Sequence, residues 1–379
     1  MDEEAYVLLL STSKIILERR YILKSSKKIV ICVLLIVVSI ISLILINKNT
    51  NKTFNYKEST IALTVDGNSA TSFPTSGKYN VNVNCNNAKC RWNPKTWKLE
   101  ITKITGTVTC DVSFNSNVSN LTTVVNNKAT RNANGKRYQG KNPNNYIWFN
   151  DELWRIIGNI PVCLTSGCAT TENRVKIIRN DSIGAIKYDE SSSTWMGSNI
   201  QNLLNICYLG KKSSCDSYCY SNATFAKGTC DYSSDGIDAT DFYGKMVEDV
   251  YFNVGAGDST YKTAANYYTQ EIATHTTSTS KIGLMHASDW GYAIEGFTGV
   301  IGNSGYARDS SDKNWLSNAD QWTMSAYSSS RPLRAYDCGF LFGDSASEGY
   351  SIRPVLYLKS NVYVVSGTGT KVDPYRIGM

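Results

Sequence analysis

Apolar residues are laid along this chain in three patterns. The first is an unbroken run: positions 29–46 (IVICVLLIVVSIISLILI) hold 18 residues without a charge. At about 1.5 Å per residue this approaches a hydrocarbon core of about 30 Å and predicts a transmembrane helix. The second pattern is alternation. Between 59 and 117 the segments TIALTVDG, YNVNVNC, WKLEITKI and TVTCDVSF place apolar residues at every other position, with Gly, Asn or Pro turns between them. They predict a small antiparallel β-sandwich with Trp92 and Trp97 in its core. The third pattern, over 135–379, mixes both periods. Residues 146–160 (YIWFNDELWRIIGNI) predict a hairpin turning at Asn150-Asp151, and 174–180 a further strand. Helical spacing follows at 199–209, at 240–253 behind an Asp238 cap, and at 261–274; in the second of these Tyr243, Met246, Val247, Val250 and Tyr251 share a face. Short strands return at 281–285, 322–325, 351–358 and 362–365. This order predicts an α+β domain with long loops rather than an alternating dinucleotide-binding fold.

The pattern divides the chain into a cytoplasmic tail (1–28), a transmembrane helix (29–46), a polar linker (47–58), the small β-domain (59–117), a second, Asn/Ser/Thr-rich linker (118–134) and the larger domain (135–379). Lys14, Arg19, Arg20, Lys24, Lys27 and Lys28 precede the apolar run, and only Lys48, Lys52 and Lys57 follow at similar distance. The positive-inside rule then predicts a single-pass membrane protein with the N-terminus in the cytoplasm and the C-terminal domains outside the cell. A cleaved signal peptide is the alternative; the long charged lead-in and the lack of a small-x-small site before Asn47 speak against it. The 39 basic and 32 acidic residues give a net charge of +7 spread along the chain rather than gathered in blocks, which gives nucleic acid no footprint.

Eleven cysteines against two histidines fit disulfides better than a zinc site or a His-based hydrolase. Cys32 lies in the apolar run, and the other ten follow it. In an oxidising compartment Cys163 and Cys168 are spaced for a staple across a turn, and Cys85 and Cys110 for a link between two strands. Cys207, Cys215, Cys219 and Cys230 match no zinc or iron–sulfur spacing and have no histidine near them, so disulfides are expected there too. Cys90 and Cys338 are left over. Neither a metal nor another cofactor is expected.

Six blocks in register carry a resemblance: FNDELWRIIG (149–158), VKIIRNDSIG (175–184), KIGLMHASDWGYA (281–293), QWTMSAYS (321–328), SIRPVLYLKSNV (351–362) and GTGTKVDPYRI (367–377). Together they resemble the C-type-lectin-fold surface domains common in gut Firmicutes and their phages. Those domains are distantly similar to formylglycine-generating-enzyme-like domains and to the variable proteins of diversity-generating retroelements. The resemblance implies a C-type-lectin-like fold over 135–379. Its calcium-binding triplets are missing, since the nearest string, Ala319-Asp320-Gln321-Trp322, lacks the Asn-Asp that a hard cation needs. The copper site of the formylglycine-generating enzymes needs two nearby thiolates, and the matching part offers only Cys338.

What the resemblance does imply is a binding stretch before the last strands, here 326–347 (AYSSSRPLRAYDCGFLFGDSAS). It mixes rigid aromatics with small polar residues, as a paratope does. It also contains no Glu, Lys, Gln, Met or Trp, which adenine mutagenesis of AAY codons cannot produce. Tyr327, Arg331, Arg334, Tyr336, Asp337, Phe340, Phe342, Asp344 and, just beyond, Tyr350 are the candidate ligand residues. A core role for the aromatics and surface ion pairs for the arginines are the competing reading.

No catalytic set can be assembled. His275 lies in a polar loop and His286 at a strand end, and the pairs Asp151/Glu152 and Glu248/Asp249 are adjacent in sequence and point apart. The expectation is therefore a membrane-anchored binding or adhesion protein with an extracellular protein or glycan as its ligand. A formylglycine-generating-like or hydrolytic enzyme and a structural envelope protein are the alternatives.

Overall fold

Alternation governs the start of the chain as the pattern requires. The computed structural model describes residues 59–215, 217–219, 230–273, 276–302 and 312–379, with backbone alone at 273 and 276–279. Strands β1 (Thr60–Val65), β2 (Asn68–Ser69), β3 (Asn80–Cys85), β4 (Lys89–Asn93), β5 (Lys98–Thr102) and β6 (Thr109–Asn115) build the first part. The sheet order is β2-β1-β6-β3, with β4–β5 as a separate hairpin. β3 runs antiparallel to β6, but β1 runs parallel to it, from Thr60 opposite Thr109 to Val65 opposite Phe114. The purely antiparallel sandwich is thus corrected to a mixed sheet. Period two reveals strands but not their pairing, and the chain between β1 and β6 is long enough for a parallel return. Trp92 is buried against Phe114 at 4.9 Å and Trp97 at 5.3 Å between ring centres, both edge-on. Such pairs add to the roughly 1.5–3 kcal/mol that burying each large side chain contributes.

The stretch expected as a second linker is ordered. It holds β7 (Ser119–Asn120), α1 (Leu121–Lys128), β8 (Arg131–Asn132) and the approach to β9 (Lys136–Arg137). The Asn120 side chain accepts from Thr122 N at 2.9 Å, and Leu121 and Val125, one turn apart, are buried. Asn-rich composition hid a capped helix, because Asn is favourable at a cap and unfavourable inside.

Then come β10 (Tyr146–Phe149), β11 (Glu152–Cys163), β12 (Thr171–Arg179), β13 (Ala185–Lys187), and α2 (Asn199–Asn202), which runs into a π turn at Leu203–Tyr208. Next are β14 (Val250–Val254), α3 (Ala264–Ala273), β15 (Thr276–Ser280) and α4 (Ala287–Tyr292). The chain closes with β16 (Gln321–Ser328), β17 (Arg331–Ala335), β18 (Leu341–Gly343), β19 (Gly349–Ser351), β20 (Val355–Leu358), β21 (Tyr363–Ser366) and β22 (Arg376–Gly378). The β10–β11 hairpin turns at Asn150 and Asp151, both at positive φ (54° and 60°), the geometry a two-residue turn asks for. One large sheet follows the path β15-β14-β11-β12-β20, with β8, β9 and β10 attached; a second has the order β13-β19-β16-β17-β18. β12 is buried on both sides: Val175 and Ile177 enter one core, and Ile178 enters another with Trp290, Leu333 and Leu341.

Two further expectations are corrected here. The helix over 240–253 is a single tight turn, Gly244–Met246, followed by β14, whose residues alternate buried and half-buried between β11 and β15. The strand at 281–285 reduces to one bridge, Gly283 opposite Val355. Among the described residues 37% are in strands and 14% in helices, so the α+β, C-type-lectin-like class gives way to a mostly-β one. The expected membrane helix at 29–46, with the tail before it and the linker at 47–58, lies outside the described residues. Among the described residues no helix is long and apolar enough to cross a membrane. The structure therefore gives no support to the single-pass anchor, or to the extracellular placement that rested on it. Thr60–Met379 forms one compact unit.

Candidate functional site

Register decides which of the candidate residues meet. Across the second sheet Trp322 lies opposite Arg334 and Arg334 opposite Phe342, while Leu333 lies opposite Gly343 and Ala335 opposite Leu341. Strand alternation then puts Arg334 and Phe342 on one face and Leu333, Ala335 and Leu341 on the other, which packs into the core. The Arg334 guanidinium lies over the rings of Tyr350 (4.2 Å) and Tyr336 (4.3 Å), with Phe342 at 5.8 Å. Asp320 and Asp344 hold it from the sides at 3.3 Å each. Tyr336 stacks on Phe340 with ring centres 4.8 Å apart and planes within 7°. The Tyr350 hydroxyl donates to Asp344 at 2.7 Å, and its ring stands edge-on to buried Trp322. Burial first, then the bond to Asp344, raises the Tyr350 phenol above its usual range and keeps it a donor.

The structure thus joins Arg334, Tyr336, Phe340, Phe342, Asp344 and Tyr350 in one half-buried platform, with exposed Arg331 and Asp337 nearby in sequence. Tyr327 is not part of it. Its ring covers Gly343 from the core side and packs on Tyr261 at 4.8 Å. Asp320, the second anion on Arg334, escaped the sequence reading because it lies outside the variable-looking stretch. On the platform's side of β16, Met324 and Ala326 line a cavity of about 270 Å³ together with Trp195, Met196 and the backbone of 255–257. A Trp-Met pair in a loop carries no period, so nothing in the sequence marked it.

Sequence pattern also missed a buried ionic cluster. Lys176, on β12, donates to Asp289 Oδ2 at 2.5 Å and meets His286 Nδ1 at 2.9 Å. Arg137 donates to Asp289 Oδ1 at 2.7 Å. Asp289 sits in the first turn of α4 and accepts from His286 N at 3.0 Å, the place where a helix start favours a carboxylate. The other His286 nitrogen lies 2.8 Å from Asn253 O. Glu271 accepts from the hydroxyls of Ser288 and Ser325. Burial pushes the Lys176 ammonium down, and Asp289 opposes it. Burial alone would raise Asp289, but the charge of Lys176, the His286 bond and Arg137 hold it well below the usual carboxylate range. The space among these groups, about 30 Å³, is room for one water. A lysine set between Val175 and Ile177 in the middle of a strand was the signal available. His286 is a hydrogen-bonded core residue, and His275 has no described side chain.

The sulfurs of Cys163 and Cys168, Cys207 and Cys215, and Cys219 and Cys230 lie in bonding range, with Cα separations of 5.0, 6.1 and 6.0 Å. Cys85 is in range of both Cys110 and Cys90. Cys338 is exposed, and its Sγ donates to Asp337 Oδ1 at 3.2 Å. No known protein family, curated protein or solved structure matches the chain, so the lectin-like resemblance rests on its six blocks alone.

Proposed function

We propose that this chain is a recognition protein that binds a protein or glycan ligand on the face of the second sheet, centred on Arg334. The arginine platform carries this reading: a guanidinium fixed between two tyrosine rings and two carboxylates, next to a parallel Tyr336–Phe340 stack. Arg and Tyr are the residue types that dominate binding energy, and side chains already held in place lose little freedom on contact. The rings offer flat apolar surface, and Asp337 and Arg331 offer exposed polar groups beside it. The ionic cluster around Asp289 supports the same reading by contrast, because its groups are spent on one another in a space that holds a single water.

The test is a screen of the full chain against arrayed glycans and peptides, repeated with Tyr336→Ala/Phe340→Ala and with Arg331→Ala. A ligand whose affinity falls at least tenfold in the double variant, with unchanged circular dichroism, fits the proposal. A ligand held equally well by all variants overturns the site.

A further inference from the structure

The last of the six sequence blocks, GTGTKVDPYRI (367–377), is the turn from β21 into β22, and it forms one wall of a cavity of about 300 Å³. The turn is fixed from within. Thr368 N and Gly369 N both donate to Asp373 O, at 3.1 and 3.0 Å, and Asp373 Oδ2 accepts from Thr368 Oγ1 at 2.9 Å. Gly369 stands at φ 80°, and a Cβ there would come within 2.7 Å of Asn144 O. Trp148 N in β10 donates to Tyr375 O at 2.9 Å, so the Arg376 side chain starts from anchored backbone. The facing wall is the outer side of the β4–β5 hairpin. There Lys89 is the register partner of Thr102 and Arg91 of Glu100, and alternation puts these four on one face with Trp92 on the other, in the core.

Lys89, Arg91 and Arg376 face this cavity against two acids, Glu100 and Asp373, and both acids are engaged. Asp373 is spent on its own turn. Burial would raise the Glu100 carboxyl, but its bonds from Asn93 and Arg91 hold it below the usual range. Arg91 uses only its Nε in that bond, and among the described residues its other two nitrogens have no acceptor. Among the same residues the Arg376 side chain donates to nothing. Its guanidinium lies 4.2 Å over the Trp148 ring, and that of Arg91 lies 5.6 Å from the same ring. Burial, and then the charge of Arg91, depress the Arg376 guanidinium to about 10, still protonated at neutral pH. Two guanidinium groups over one ring, both with N–H groups to spare, suit a carboxylate. Two hydroxyls line the cavity with them: Ser366, whose side chain has no partner among the described residues, and Thr102, which donates to Lys89 O at 3.3 Å and still accepts.

We infer that this cavity binds a small hydroxylated carboxylate of the sugar-acid kind, a single uronate ring, independently of the Arg334 platform. Charge selects the head group. One negative charge balances three cations set against two acids, whereas a phosphate ester, at roughly −1.5 to −2, would overshoot and press on Glu100 and Asp373. Size and lining select the rest. The cavity has the volume of about ten waters at about 30 Å³ each, the bulk of one sugar ring. The Ser366 and Thr102 hydroxyls and the Lys89 ammonium suit ring hydroxyls better than an alkyl stem. Because the turn and the hairpin are both held by their own hydrogen bonds, the ligand orders little on entering.

The experiment is calorimetric titration of the full chain with sodium glucuronate at low ionic strength, beside glucose, acetate, N-acetylaspartate amide and glucose 6-phosphate. Glucuronate should bind once per chain and at least tenfold more tightly than the other four. Arg376→Gln should weaken it at least tenfold and Lys89→Gln several-fold, with Arg376→Lys between wild type and Arg376→Gln because lysine keeps the charge and loses the fork. Lys89 is exposed, so its variant carries the test if Arg376→Gln alters the circular dichroism. Tyr336→Ala/Phe340→Ala, which removes the platform's ring stack, should leave glucuronate binding unchanged. No glucuronate binding, equal binding by wild type, Arg376→Gln and Lys89→Gln, or loss of binding in the platform variant would overturn the site. Acetate or N-acetylaspartate amide bound as tightly would overturn the sugar acid, and tighter glucose 6-phosphate would overturn the single negative charge.

Discussion

Asp289 is the single residue on which two buried cations depend. Its carboxylate takes Lys176 on one oxygen and Arg137 on the other, and all three side chains are 1–2% exposed. Removing one partner of such a group leaves charge in a poor solvent, typically a loss of 3–5 kcal/mol, whereas the intact set is worth much less. Asp289→Asn should therefore lower the unfolding free energy by about 3–5 kcal/mol in urea titration, well beyond the effect of Asp312→Asn, whose carboxylate sits exposed against Lys141. The pH dependence has a definite sign. The folded carboxyl titrates well below the unfolded value of about 3.9, so its stabilisation is complete above that value and is lost as pH falls through the folded one. Acid unfolding monitored by tryptophan fluorescence should show a steep loss of stability below about pH 4 in the wild type and a flatter one in Asp289→Asn.

At the scale of the element, the chain follows its pattern where local signals agree and departs where pairing outweighs them. The β10–β11 hairpin was legible because alternation and the Asn150-Asp151 turn pointed the same way. The 240–253 segment was not, because its apolar residues fit a helix face and a strand equally; β11 and β15 offered β14 two edges, which no local spacing reveals. The same reason splits the candidate site. Arg334, Tyr336, Phe342 and Tyr350 could be named from composition, but only the register shows that Tyr327 faces the core and that Asp320 completes the platform. Gly158 marks another pairing the pattern did not show. It stands where β9 crosses β11, and a Cβ there would press on Lys136 O and come within 3.0 Å of Arg137 Cα. Gly158→Ala should cost about 1–3 kcal/mol as an overpacked site. It should also raise amide exchange in β8 and β9 more than in β12, because Arg137 carries the strain towards the Asp289 cluster.

For the whole molecule, the decisive strand is β21. Tyr363 and Val365 belong to the core of the small sheet with Trp92 and Phe114, while Val362 and Val364 belong to the large core with Ile156 and Ile177. β21 also pairs with β7 at the start of the former linker and with β22, and Leu121 N, opening α1, donates to Val362 O at 3.0 Å. A strand that places alternate residues in two cores couples them, since neither can open without exposing one side of it. The unit from Thr60 to Met379 should then unfold in one transition. Val365→Ala touches only the small core, yet it should destabilise both parts by the same amount, about 1–3 kcal/mol. Amide exchange read under conditions of global opening should accelerate by one common factor in β6 and in β11. If β6 alone accelerated, or calorimetry resolved a separate early transition for 60–117, the strand would be a contact between independent domains rather than the element that makes them one.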